Sequence, residues 1–391
     1  MSLTRRSFVQ TLGVGSAGIL ALGARGREDM VALAQRGESS PDLAGLRDLI
    51  LSSNENPLGP PPSVIEAVRV ALSDGRKSGR YMFSRTGSMA EAIAKRYGVK
   101  ADEVYVGCGS TQILRAATQL FTSPTRPLVG SIPTYEECAG YAALIGSPVT
   151  GVKLDAALKL DLDATLKAAK GAGLVFYCNP NNPTATVHPG RATNAFLDAL
   201  RKSSPDTAVL VDEAYQDYVS DANRSTQVPR AVSDPNVIVA RTFSKAYGMA
   251  GIRLGFAIAH VDTIKKIRTW EGFGDIPWGL PALEAGLAAV QLDDAFIARE
   301  RARNTEAREF TRKFFVSEKL TTTDSETNFI FVNLRRPIEE FQKACRAKGV
   351  RVGRPFPPLT TYARISIGTL EEMKRATPVF ASALRTVRRT A

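Results

Sequence analysis

The chain has 391 residues, 44% of them hydrophobic and 23% charged, the make-up of an ordinary globular protein long enough for two cored domains. Its formal charge of +12 is strongly basic, but with no long basic block, zinc pattern or RNA-binding motif the excess reads as a solvated lysine and arginine surface plus a basic leader, with no nucleic-acid partner. Four scattered cysteines and only two histidines, His188 and His260, argue against a disulfide scaffold, a metal site and Ser-His-Asp catalysis.

Residues 1–34 read as an export signal. Thr4-Arg5-Arg6-Ser7-Phe8-Val9-Gln10 sets adjacent arginines before a serine and a phenylalanine, the twin-arginine pattern. An uncharged Gly/Ala-rich stretch from Thr11 to Ala24 follows, too short and too rich in glycine for a membrane span. Cleavage is expected after Ala24 or after Ala32-Leu33-Ala34. The expected partner is the twin-arginine (Tat) export machinery and the expected destination the periplasm. That route moves folded proteins with their cofactors already loaded.

Residues 35–80 are expected to form an N-terminal arm and a first helix belonging to a smaller domain. Ser63-Val64-Ile65-Glu66 has the spacing of a capping box, starting a helix that runs to about Leu72. A second helix is expected over 91–97. From about 104 to 260, short β-branched runs at 104–106, 128–131, 174–177, 208–211, 237–240 and 255–259 alternate with helical stretches at 112–120, 162–169 and 192–202. Such alternation implies an α/β fold with a mostly parallel central sheet flanked by helices, here a large domain over 81–280. Beyond Pro281 a helix at 298–315, a strand at 328–333, a helix at 338–348, a strand at 364–367 and a last helix read as a smaller α+β domain over 281–391.

The chemistry turns on Lys245, in Arg241-Thr242-Phe243-Ser244-Lys245-Ala246-Tyr247-Gly248, with Arg253 eight residues on among glycines. Hydroxyls at minus three and minus one and a guanidinium downstream suit a lysine held as a Schiff base to a phosphorylated aldehyde. Pyridoxal 5'-phosphate (PLP) is the commonest such partner. Such a cofactor needs a carboxylate on its pyridine nitrogen, donors to its ring oxygen, a phosphate cup and a clamp for the substrate carboxylate. Asp212 ends the apolar run 208–211, where a charge is costly unless paired; it is the carboxylate candidate, or else a strand-end cap. Asn179-Pro180-Asn181-Asn182-Pro183-Thr184 is stiffened by its prolines. Asn182 and Tyr215 are the candidate donors to the ring oxygen, the alternative being ordinary turn chemistry. Gly107-Cys108-Gly109-Ser110-Thr111 stands between a strand and a helix, as an anion cup or a tight turn with a serine cap. Tyr135 is placed to stack on the ring or to fill the core.

In order along the chain, Asn54-Glu55-Asn56-Pro57, Arg80-Tyr81, Gly109-Ser110-Thr111, Pro133-Thr134-Tyr135, the loop 179–184, Asp212-Glu213-Ala214-Tyr215, the segment 242–255, Asn328-Phe329 and Arg364-Ile365-Ser366-Ile367-Gly368 resemble the class I/II aminotransferases. These are PLP enzymes of fold-type I, and the closest pattern is the histidinol-phosphate aminotransferase-like branch. The resemblance implies a transaminase in which Lys245 carries the cofactor and then moves the substrate proton, and Asp212 pairs with the pyridine nitrogen. It further implies that Asn182 and Tyr215 bond the ring oxygen and that Gly109, Ser110, Thr111, Thr242, Ser244 and Arg253 hold the phosphate. Arg364 and Asn56 are expected to bind substrate. Tyr81 is expected to reach the phosphate in a neighbouring subunit, which implies a homodimer with shared active sites. Other PLP chemistry on the same fold (lyase, oxidase or racemase) and a non-catalytic PLP-binding protein are the alternatives.

Three departures from the family pattern stand out. Ala185 follows Thr184 where the family has glycine, Arg80-Tyr81-Met82-Phe83 lacks the usual Tyr-Pro, and Gly349-Val350-Arg351-Val352 is followed by Gly353 before Arg354. The expected substrates are an amino acid and a 2-oxo acid, and histidinol phosphate need not be among them.

Overall fold

The computed structural model describes residues 48–81, 83–271 and 279–389, so the expected signal over 1–34 lies outside the described residues. The described chain opens with β1 (Leu49–Leu51), a loop, and α1 (Pro62–Ser73). The expected capping box does not form. Pro61 is the N-cap with no side-chain bond, and Pro62 takes the first helical position, where its missing N–H is harmless. Glu66 is instead held by Arg69 at 2.6 and 2.7 Å.

After α2 (Phe83–Tyr97) come β2 (Val104–Gly107), α3 (Gly109–Phe121), β3 (Leu128–Ile132), α4 (Glu137–Leu144), β4 (Val149–Lys153), α5 (Leu162–Ala168), β5 (Leu174–Cys178), α6 (Gly190–Ser203), β6 (Ala208–Asp212), β7 (Val237–Thr242) and β8 (Gly255–Ala259). The strands form a seven-stranded sheet in the order β2-β8-β7-β6-β5-β3-β4. All neighbours from β7 to β4 are parallel, and β8 alone runs antiparallel to both of its neighbours. Val175, Tyr177, Val209 and Val211 feed one core, while Leu174, Phe176, Ala208 and Leu210 feed the other. A sheet buried on both faces in this way needs continuous apolar strands. Strands β2, β3, β5, β6 and β7 all end at one edge of the sheet. Because β8 is reversed it begins there, which brings Arg253 to the same edge as Asp212 and Thr242.

Beyond α7 (Val261–Glu271), α8 (Leu280–Val290) puts Leu283 into the large core beside Val64 of α1 and Met89 of α2. Of the segments 35–80 and 281–391 expected in the smaller domain, α1 and α8 send apolar residues into the large core. The smaller core comprises β1, α9 (Asp294–Ser317), β9 (Thr321–Thr322), β10 (Phe329–Asn333), α10 (Ile338–Arg346), β11 (Val350–Val352), β12 (Tyr362–Ser366) and α11 (Leu370–Arg389). They surround Leu51, Phe315, Ile330, Phe341, Ile365 and Phe380. β1 pairs in parallel with β11, and β10 pairs antiparallel with β12. No helix among the described residues is long and apolar enough to cross a membrane.

Candidate active site

A cavity of about 310 Å³ opens at the edge where the strands end, lined by Lys245, Asp212, Tyr215, Asn182, Tyr135, Ser110, Thr111, Thr242, Ser244, Arg253 and Arg364. Ligands bind at this edge of open α/β sheets because loops, not strands, supply the side chains there.

Lys245 follows β7 in a turn closed by Gly248 N–H to Lys245 C=O at 3.0 Å and Met249 N–H to Phe243 C=O at 3.0 Å. Its Nζ lies 5.6 Å from the centre of the Tyr215 ring. Burial draws its pKa down to about 8, assisted by Arg364 and Arg253 and opposed by Glu55 and Asp212. Asp212, only 3% exposed, ends β6. One of its oxygens accepts the Ala214 N–H at 3.1 Å, and the other meets only the Cys178 thiol at 3.9 Å. Burial raises its pKa to about 6 against the pull of Ala214 N–H and Lys245.

At one end of the cavity α3 begins directly after β2, and its N-cap Cys108 makes no side-chain cap bond. The first N–H groups of the helix, with Ser110 and Thr111, therefore face the cavity as an anion-binding terminus. Opposite them, Ser244 N–H donates to Thr242 Oγ1 at 3.1 Å and Thr242 Oγ1 to Ser244 Oγ at 2.9 Å. Arg253 has φ 66° and donates from Nη1 to Ala250 C=O at 2.8 Å. Gly109 lines the cup from beneath: at φ +69°, a Cβ there would lie 2.5 Å from Arg253 Nη2. The positive φ and the close guanidinium together favour glycine at this position.

The loop after β5 is stapled in place. Thr134 Oγ1 donates to Asn181 Oδ1 at 2.7 Å, Asn181 Nδ2 donates to Thr184 Oγ1 at 2.9 Å, and Ala185 N–H donates to Asn181 C=O at 2.8 Å. Asn182 Oδ1 accepts from Arg364 Nη1 at 2.8 Å, leaving its amide NH2 as a donor for the cavity. Tyr215 Oη accepts from Asn54 Nδ2 at 3.1 Å. Tyr135 walls the cavity, its phenol pushed up to about 12 by burial. Arg364, on β12, lies 4.8 Å from the Phe356 ring centre and 5.8 Å from that of Phe329. Its Nε is buried without a partner, and burial lowers its pKa to about 10.

One expected site residue is placed elsewhere, and one expected to serve a neighbouring subunit stands outside the cavity. Asn56 does not line the cavity. Its Nδ2 donates to Ala246 C=O at 3.0 Å, tying the arm to the lysine turn, and its Oδ1 accepts from Leu58 N–H at 3.0 Å, closing a turn within the arm. Tyr81 is 82% exposed and away from the cavity of its own chain. Asn54, with Ser53 and Glu55, lines the cavity and was not singled out from the sequence. Its φ of 56° turns it there, a left-handed conformation that asparagine is among the few residues to take readily.

The donor set fits PLP. A buried carboxylate with one strong bond awaits a cationic ring nitrogen, and the glycine cradle under Arg253 matches a dianion. The amine at about 8 suits an aldehyde. Comparison with known proteins agrees. The model of the family "aminotransferase class I and II" matches residues 47–379. A histidinol-phosphate aminotransferase of Symbiobacterium thermophilum is 35% identical over 345 residues, covering 87% of this chain and 92% of that protein. An aromatic amino acid aminotransferase of Streptomyces coelicolor is 34% identical over 330 residues, covering 82% and 86%. The solved structure of the Sinorhizobium meliloti histidinol-phosphate aminotransferase in complex with pyridoxal-5'-phosphate superposes with a TM-score of 0.78 at 25% identity, covering 87% of this chain and 91% of that one. The chain therefore belongs to the class I and II aminotransferases, and is a PLP-dependent aminotransferase of fold-type I.

Proposed function

We propose that Lys245 carries the cofactor and moves the substrate proton, that Asp212, Asn182, Tyr215, Ser110, Thr111, Thr242, Ser244 and Arg253 hold the cofactor, and that Arg364 clamps the substrate carboxylate. The observation that carries this reading is a single cavity combining a lysine drawn down to about 8, a buried carboxylate with one good partner and a guanidinium whose Nε has none. When bound, PLP supplies an aldehyde that condenses with amines and a ring that accepts electrons. The chain's own residues do the rest. Asp212 would pair with the ring nitrogen and favour its protonated form. With the cofactor bound, Lys245, its amine drawn down to about 8 by burial, would be the base that moves the proton at the substrate Cα. Arg364 presents Nε to the carboxylate and keeps Nη1 on Asn182, so clamp and ring-oxygen donor are set together.

In Lys245→Ala, conversion of the cofactor from aldehyde to amine form on mixing with amino acids, read by absorbance, should slow by about 10⁴-fold. Conversion at the native rate sinks the assignment. The same panel of amino acids identifies the donor.

The enzyme acts as a homodimer in this reading. Leu58, Ile65, Val70 and Leu72, on and beside α1, expose apolar surface, and Tyr81 protrudes nearby in sequence. Such a patch marks a protein interface, and a partner's Tyr81 would complete each phosphate cup. The signal over 1–34 directs the folded enzyme through the twin-arginine route. A reporter fusion carrying Arg5→Lys and Arg6→Lys should stay in the cytoplasm; undiminished export removes this part of the reading.

A further inference from the structure

Asn54 has no role in the assignments above, yet it makes four hydrogen bonds beside the cavity. Its N–H donates to Ser366 Oγ at 2.8 Å, and its Oδ1 accepts from that same hydroxyl at 2.9 Å. Its Nδ2 donates to Tyr215 Oη at 3.1 Å, and its carbonyl accepts from Asn328 Nδ2 at 2.9 Å.

Counting hydrogens fixes the direction of each bond. The Ser366 oxygen already accepts from Asn54 N–H, so its single proton goes to Asn54 Oδ1. That contact decides which end of the amide is oxygen and turns Nδ2 toward Tyr215. An amide NH2 can only donate, so the Tyr215 oxygen is the acceptor and its own proton must point elsewhere. The ring is held in place by Phe329, packed edge-on at 5.1 Å. Tyr215 lines the cavity, and no acceptor among the described residues takes its proton.

We infer that Asn54, locked by Ser366, is a positioning residue that commits Tyr215 to donate its phenolic proton into the cavity, onto the cofactor's ring oxygen. The inference rests on Tyr215 serving that oxygen. An unguided phenol could swing its proton to a neighbouring acceptor; here the amide occupies that direction with a donor. The left-handed backbone at Asn54 is what allows one residue to meet Ser366 with both its N–H and its Oδ1.

Wild type, Asn54→Asp, Ser366→Ala and Tyr215→Phe, with Asn54→Asp and Ser366→Ala each also combined with Tyr215→Phe, would be loaded with PLP and the absorbance of the bound cofactor titrated against pH. Melting temperatures of the cofactor-free forms serve as the folding control. A donor to the ring oxygen favours its charged form and holds the titration midpoint down. Asn54→Asp sets a carboxylate oxygen against the phenol, which then turns its proton away from the cofactor. The midpoint should rise by about one pH unit, equivalent to one hydrogen bond to a charged group. Ser366→Ala frees the amide to rotate and should raise the midpoint by less. Neither change should add a shift in the Tyr215→Phe background. The inference is overturned by an unmoved midpoint in whichever of the two variants folds, or by an undiminished further shift on Tyr215→Phe. A Tyr215→Phe midpoint equal to wild type would overturn the assignment of Tyr215 itself, and the inference with it.

Discussion

Asp212 and Glu213 are neighbours at the end of one strand, both almost wholly buried, and the fold treats them in opposite ways. Glu213 accepts from Arg241 at 3.2 Å, from Thr226 Oγ1 at 2.8 Å and from Gln227 N–H at 2.6 Å. Arg241 also reaches Asp217 at 2.6 Å and lies 5.3 Å over Tyr97. Asp212, on the cavity side, has one backbone N–H and a distant thiol. Burial raises the pKa of both. A buried charge that serves the fold is saturated with partners, whereas one left nearly bare is kept for a ligand.

The sharpest way to break this contrast is to neutralise the bare carboxylate. Asp212→Asn should lower turnover by about 10²–10³-fold while stabilising the cofactor-free protein at pH 7 by about 3 kcal/mol. The folded value of about 6 lies above the ordinary 3.8. The native state therefore holds the proton longer, and the penalty for the charge grows as pH rises from 3.8 through about 6. The gain in Asp212→Asn should thus be present at pH 7 and absent below pH 3.8, as read by denaturant unfolding. A variant less stable than wild type at pH 7 would show that Asp212 serves the fold after all. Glu213→Ala should do the reverse. It leaves Arg241 short of a partner and costs about 3 kcal/mol of stability, with the cofactor's absorbance retained in the protein that remains folded; loss of cofactor without loss of stability would erase the distinction.

The smallest effect is expected at Ala185. It holds φ 63° and is fully buried, so the loop keeps a glycine-type turn without the glycine. Ala185→Gly removes roughly 1 kcal/mol of left-handed strain but gives up a buried methyl worth about 0.8 kcal/mol and loosens the unfolded chain. The net change in unfolding free energy should stay below about 1 kcal/mol, with unaltered turnover. A larger loss would mean the methyl is a packing element of the loop.

Most of the sheet was legible because parallel strands buried on both faces must be apolar runs, as 174–178 and 208–212 are. β4 was not, since Val149-Thr150-Gly151-Val152-Lys153 is largely exposed and broken by glycine. The cavity residues on strand ends were legible too, because polar groups there interrupt apolar runs at a strand's carboxyl end. Asn54 and Asn56 are two residues apart in one motif, and nothing in their spacing tells which faces the cavity. That depends on a left-handed backbone at Asn54 and on Ser366, which is 312 residues away. The placement of α1 and α8 was likewise set by the long-range packing of one helix against the other, invisible in local pattern.

The pairing of β1 with β11, and of Asn54 with Ser366, joins nearly the first and nearly the last described segments of the polypeptide. A ribosome must therefore release the chain beyond Ser366 before Asn54 can be locked against Tyr215, and a product that stops short of Ser366 would emerge with that wall of the pocket unmade.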